Sequence, residues 1–283
     1  MQTKLRTLGY CLAIVGVLMG WNGMNTIAHD PTKQYDSIKE KMAKKTFTAA
    51  DGSTLNYRLY LPDALAQKAA VGEDISQEAE KYPLVLFLHG AGERGSDNEK
   101  QLHWPEFLRF ASDEASQPVI LIAPQCPEGE TWSIIPRLMG DGDINQPSAP
   151  MQRLLELLDE VDQTLPVKTD QRYVTGMSMG GFGSFAICAF RPGYFAAAMP
   201  ICGGMVSPDF VKNYTGTAFR IVHGEADSVV PLQCSLDAVV LLSKNNISVS
   251  YIGYPNVNHN SWTGAFTEPD MLDWFFRQTR QTN

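Results

Sequence analysis

The chain has few cysteines, an excess of negative over positive charge, and no apolar run long enough to cross a membrane. Its 283 residues include five cysteines and five histidines. Neither a Cys-x-x-Cys pair nor a His-Glu-x-x-His run occurs. The common zinc spacings are therefore missing, and neither metal nor cofactor is expected. Asp and Glu outnumber Lys and Arg by 31 to 23, for a formal net charge of −8. That balance argues against nucleic acid or an anionic membrane as partner and fits a soluble enzyme with neutral or weakly charged substrates. There is no internal repeat, coiled coil or low-complexity tract. The apolar run Leu8 to Trp21 covers 14 residues, short of the about 20 that span a bilayer.

What is present at the N-terminus reads as targeting. Lys4 and Arg6 precede the apolar run, and Thr26-Ile-Ala28 offers a cleavage site. This predicts a signal peptide over 1–28, a short N-terminal segment over 29–46 and one catalytic domain over 47–283. The location implied is secreted or periplasmic, with an uncleaved membrane anchor as the alternative. Cys11 lies near the start of the run, not just after it, which argues against a lipoprotein. About 255 residues remain after cleavage, enough for one large domain. Cys126, Cys188, Cys202 and Cys234 remain with them. A Cys202–Cys234 bridge and buried free thiols are both compatible with their spacing.

The most informative run is Gly176-Met-Ser-Met-Gly180. It follows the β-prone Arg172-Tyr-Val-Thr175 and precedes the helical Gly181 to Phe190. A serine between glycines at a strand-to-helix junction is a nucleophile elbow. The turn is tight, so the neighbours must be small, and the strained serine points into a cleft ahead of a helix N-terminus. A serine hydroxyl needs a base and an acid to orient it, and on such an elbow they follow in the order acid, then histidine.

Elimination finds them. Only His223 and His259 follow Ser178, and His223 ends the strand Ala218 to His223. His259, in Pro255 to Trp262, leaves room for an acid before it. Of Asp209, Glu225, Asp227 and Asp237, Asp227 sits in a loop just after that strand, and Pro231 can open the next helix. Glu225 is the second candidate. Taken singly, His259 reads as a surface-loop histidine and Asp227 as a helix cap; the ordered set reads as a triad of Ser178, Asp227 and His259. Tyr82-Pro-Leu-Val-Leu-Phe-Leu-His89-Gly-Ala-Gly92 is an apolar strand running into a Gly-rich turn. Amides of Ala91 or Gly92, with that of Met179, would form an oxyanion hole. His89 is expected to brace that loop through backbone hydrogen bonds.

Together with Leu59-Tyr-Leu-Pro62, Leu88-His-Gly-Ala-Gly-Glu-Arg-Gly-Ser-Asp97, Ala123-Pro-Gln-Cys-Pro127, His223-Gly-Glu-Ala-Asp227 and Asn258-His-Asn-Ser-Trp262, these residues resemble the α/β-hydrolase superfamily. The resemblance is to an esterase branch that includes feruloyl and acetyl-xylan esterases, polyhydroxybutyrate-depolymerase-like enzymes and predicted peptidases. It covers residues 47 to 280. It implies a serine carboxylic-ester hydrolase acting on short-chain, aromatic or carbohydrate-linked esters, small or polysaccharide-borne. A serine peptidase or an acyltransferase on the same triad is the alternative, and a non-catalytic binding protein a more remote one. Dienelactone hydrolases share the fold but use cysteine, so Ser178 argues against that activity. Trp262 resembles a position beside the active site, and Trp132, in the loop Gln125 to Ser148, is a second pocket candidate; core packing is the competing reading of both.

Strands are expected over Lys45 to Pro62 (a pair around Asp51-Gly52), Pro83 to Leu88, Pro118 to Ala123, Phe195 to Ile201, Ala218 to His223 and Val249 to Gly253. Helices are expected from Pro150, with Met151, Leu154, Leu155, Leu158 and Val161 on one face, and over Glu268 to Arg280. This alternation predicts a mostly parallel central sheet with helices on both faces. Asp141 to Asn145 begins like a calcium loop, but Gln146 and Gln152 stand where glycine and glutamate are required.

Overall fold

A computed structural model describes residues 35–134 and 142–280. The expected signal peptide, the first residues of the N-terminal segment and Asp141 lie outside the described residues.

Eight strands form one sheet in the order β1-β2-β4-β3-β5-β6-β7-β8. The antiparallel pair β1 (Ala43–Thr48) and β2 (Thr54–Tyr60) turns at Asp51 and Gly52, where Gly52 has φ 84°. β2 lies antiparallel to β4 (Ile120–Pro124). From there the sheet is parallel through β3 (Tyr82–Leu88), β5 (Val167–Met177), β6 (Ala197–Ile201), β7 (Ala218–Gly224) and β8 (Val249–Tyr254).

The central strands are apolar on both faces because both are covered. In β3, Leu84, Leu86 and Leu88 face one core while Val85 and Phe87 face the other. The first core holds α3 (Ala149–Thr164), α4 (Met179–Phe190) and α5 (Gln233–Lys244). The second holds α1 (Asp36–Lys41), a 3-10 stretch Pro105–Ala111, α6 (Trp262–Thr267) and α7 (Met271–Phe276). α2 (Asp63–Ala70) follows β2 and precedes β3. Each fully buried Leu or Phe contributes about 1.5–3 kcal/mol of apolar transfer.

Three expectations are corrected, and one open alternative is decided. The folded domain begins before residue 47: Tyr35, Ile38 and Met42 are buried in the second core, and the Arg58 Nη2 donates to the Lys39 carbonyl at 2.9 Å. The C-terminal helix is shorter than Glu268 to Arg280: its apolar residues Met271, Leu272, Phe275 and Phe276 all lie in α7, and a separate helix, α6, precedes it across Pro269. Pro231 does not open α5, which starts at Gln233, so it closes the preceding loop instead. All four described cysteines are free thiols, so no Cys202–Cys234 bridge forms.

Candidate active site

Every candidate residue lies at the carboxyl ends of the parallel strands, where open α/β sheets bind ligands. The pairing of Leu88 with Gly176 brings the loop after β3 beside the turn after β5. At that turn Ser178 has φ 54° and ψ −118°, a strained conformation for a residue with a side chain. The glycines are required by close approach. A Cβ on Gly176 would lie 2.4 Å from the Gly180 oxygen, and one on Gly180 would lie 1.9 Å from the Leu88 oxygen. The Ser178 amide donates to the Ile201 carbonyl at 2.9 Å, which ties the elbow to β6.

The pairing of Gly224 with Tyr254 aligns the loops after β7 and β8. The Ala226 amide donates to the Val257 carbonyl at 3.0 Å. The Asn258 Oδ1 accepts from the amides of Ser228 at 2.9 Å and His259 at 2.8 Å, stitching the two loops together.

This brings the three expected residues into one chain. His259 Nδ1 lies 2.8 Å from Asp227 Oδ2, and Nε2 lies 2.9 Å from Ser178 Oγ. The second oxygen, Oδ1, accepts from the amides of Val229 at 2.8 Å and Val230 at 2.9 Å. Burial opposes a charge on Asp227, but the bonds from His259, Val230 and Val229 outweigh it and hold its carboxyl below the ordinary range. Glu225, the second candidate acid, is exposed and lies against Gly253, away from His259. His223 stands behind Asp227 with its Nε2 3.3 Å from Oδ2 and 3.1 Å from the Val230 carbonyl. Burial lowers its pKa and keeps it neutral.

Met179 opens α4, so its amide has no acceptor within the helix. Ala91 opens the 3-10 turn Ala91–Glu93 and is exposed, as is Gly92. His89 is fully buried, its Nδ1 2.6 Å from the Gly90 carbonyl and its Nε2 accepting from the Cys126 amide at 2.9 Å. The Arg94 Nη2 donates to Met179 Sδ at 3.2 Å.

Trp132 does not line a pocket. It has no exposed surface, its Nε1 donates to the His89 carbonyl at 3.1 Å, and it fills the space a side chain at Gly183 would need. Its loop starts at the ligand edge, but its ring turns inward and braces the loop after β3 through the His89 carbonyl. Trp262 packs edge-on to His259, with ring centroids 5.5 Å apart. Two neighbours escaped the sequence reading. Trp104 packs on Trp262 at 5.3 Å, and its Nε1 donates to Glu93 Oε1 at 3.2 Å. Glu93 stood within the Gly-Ala-Gly-Glu-Arg-Gly run; Trp104 carried no signal of its own.

Cys202, Asp227 and His259 place three possible ligand atoms within 4.8 Å of one another. Burial pushes the Cys202 thiol up to about 12, which makes it a protonated neighbour of Asp227 and His259.

His89 gives the site a pH-linked stability. Burial is the main cause that brings its imidazole down from 6.5 to about 4. Unfolding restores the higher value, so between these limits the unfolded chain binds more protons. The contribution is full above pH 6.5 and is lost as pH falls towards 4, on the order of 3 kcal/mol. Urea midpoints should therefore fall across that window, and His89→Gln should flatten the slope; an unchanged slope in the variant would contradict the assignment.

A serine elbow after β5, a carboxylate after β7 and a histidine after β8 on a mostly parallel sheet define the α/β-hydrolase class. A family model described as "Putative esterase" matches residues 49–218, and the chain belongs to that esterase family. It is 29% identical over 199 residues to "Putative esterase NocK" of Nocardia uniformis subsp. tsuyamanensis, covering 68% of this chain and 52% of that one. It is 27% identical over 157 residues to feruloyl esterase C of Emericella nidulans, covering 54% of this chain and 57% of that one. The match therefore spans little more than half of either relative. Among solved structures, a thermostable esterase superposes with a TM-score of 0.76 at 29% identity, over 86% of this chain and 64% of that one. A ferulic acid esterase, at 17% identity and a TM-score of 0.60 over 83% of this chain and 99% of that one, shares the fold.

Proposed function

We propose that the chain is a serine carboxylic-ester hydrolase that works through an acyl-enzyme. The observation that carries this reading is the continuous chain from Asp227 through His259 to Ser178. His259 Nε2 takes the Ser178 proton as Oγ bonds to the ester carbon. The carbonyl oxygen becomes an oxyanion, held by the amides of Met179 and of Ala91 or Gly92. The carbon–oxygen bond to the alcohol then breaks, and His259 returns the proton to the departing oxygen. Water repeats the sequence on the acyl-enzyme and restores Ser178.

Short acyl groups, or aromatic and carbohydrate-linked esters, suit this site best. Beneath the elbow Met179, Trp132 and Phe182 are packed with no more than 1% exposure, which leaves no tunnel there for a long chain. Membership of an esterase family favours ester over amide. The kcat/KM values for p-nitrophenyl acetate and butyrate should exceed those for the laurate ester and for a matched acetanilide. A preference for the anilide would favour the peptidase reading, and transfer to an added alcohol in place of water would favour an acyltransferase.

We further propose export, on the basic start and short apolar run of the N-terminus. Among the described residues no helix is long and apolar enough to cross a membrane. N-terminal sequencing of the same enzyme from its native host should begin just after Ala28; an intact Met1 would contradict cleavage.

A further inference from the structure

Contacts around Ser178 close on themselves. Ser178 meets His259, His259 packs on Trp262, and Trp262 packs on Trp104. Trp104 donates to Glu93 Oε1, and the other oxygen, Oε2, turns towards Gly90. A methyl group at Gly90 would lie 3.1 Å from Glu93 Oε2 and 3.6 Å from the Ser178 Cβ. The ring thus returns to the nucleophile, and the space it bounds is on the His259 side. That is the side from which the alcohol leaves, because His259 delivers its proton.

Glu93 is 9% exposed, and Oε2 has no hydrogen-bond partner among the described residues. Oε2 is not one of the sealed unpartnered atoms, so it keeps an accessible surface from which to accept a hydrogen bond. Glu93 takes no part in the Ser178–His259–Asp227 chain, and its one ring partner leaves Oε2 as an open acceptor that shares the Gly90 neighbourhood with the Ser178 Cβ.

We infer that Glu93 reads the departing alcohol, accepting a hydrogen bond through Oε2 from a hydroxyl that the alcohol carries next to its ester oxygen. The inference rests on the ester-hydrolase reading and names its alcohol class as a polyol, a glycerol- or sugar-type group. A hydroxyl is the donor a point acceptor selects, and its carbon-bound hydrogens can lie on the half-buried Trp104. A quaternary ammonium fits less well. It offers no donor and needs several open ring faces, whereas Trp262 is only 8% exposed. An anionic alcohol would be repelled.

The test compares esters with one acyl group: glycerol 1-monoacetate, n-propyl acetate, acetylcholine and p-nitrophenyl acetate. Each kcat/KM is divided by the rate of hydroxide-catalysed hydrolysis, which removes leaving-group reactivity. This parameter covers only the steps up to loss of the alcohol, so deacylation does not enter it. The wild type should favour the glycerol ester over the propyl ester. In Glu93→Gln the one remaining oxygen is claimed by Trp104 and an amide donor faces the hydroxyl, so the glycerol-to-propyl ratio should fall about tenfold. A merely structural role would lower both esters together and leave the ratio alone, and that result would overturn the inference. So would a collapse of the acetylcholine-to-propyl ratio in its place. Should the variant not fold, a wild-type glycerol-to-propyl ratio near one overturns it without any variant. Hydrolysis of p-nitrophenyl acetate with no glycerol preference refutes the inference alone; no turnover of any acetate refutes the ester reading as well.

Discussion

Ser178→Ala should reduce ester turnover by about 10⁵–10⁶-fold while leaving a folded domain, the scale seen when a triad nucleophile is removed. In the proposed mechanism Ser178 Oγ accepts the acyl group, and it lies 2.9 Å from the His259 Nε2. Alanine keeps the small side chain the turn demands and the same strained φ of 54°. A fluorophosphonate should label the parent at Ser178 and leave the variant unlabelled. Ser178→Gly supplies a control of opposite sign. It is equally inactive but relieves the positive φ, so its Tm should exceed that of Ser178→Ala. Full activity in Ser178→Ala, or labelling at another serine, would end the proposed mechanism.

Asp227→Asn should cost about 10⁴-fold in kcat, the loss typical when the histidine is left in the wrong tautomer. The Val229 and Val230 amides require an acceptor at Oδ1. If asparagine keeps its oxygen there, its NH₂ faces both His259 Nδ1 and His223 Nε2. Nδ1 must then become an acceptor, the proton moves to Nε2, and His259 can no longer take the proton of Ser178. If asparagine flips, its NH₂ opposes two backbone donors. His259→Ala, which removes the base outright, should cost about 10⁶-fold, as much as loss of the nucleophile. Near-normal kinetics for Asp227→Asn together with an inactive Glu225→Gln would reverse the choice of acid.

The sequence carried the catalytic order because that order is a property of strand succession. A serine in a Gly-x-Ser-x-Gly turn, an acid in the loop after the next strand but one, and a histidine after the last strand can be read in one dimension. Trp132 could not be read that way. Its position along the chain puts it at the ligand edge, but which way its ring turns depends on the void left over by Gly183 on α4, a contact across 51 residues. Glu93 and Trp104 were hidden for the same reason, since neither has meaning until the loop after β3 meets α6. The early start of the domain was hidden by a weak signal: among its described residues before 47, Tyr35, Ile38 and Met42 are the apolar ones buried in the core. α6 was hidden by its length, since six residues are too few for a periodic pattern.

The nucleophile and the base hang from strands of very different standing. β5 is central, and its last six residues are buried. β8 closes the sheet as an edge strand, and none of its six residues is fully buried. Such margins open by local fluctuations that cost far less than unfolding the whole domain. Opening at β8 would carry His259 away from Ser178, which sits at the buried end of β5. Under the proposed mechanism, such opening would leave the elbow intact and remove only the proton carrier, so the hold of β8 on β7 would set how long the site stays assembled.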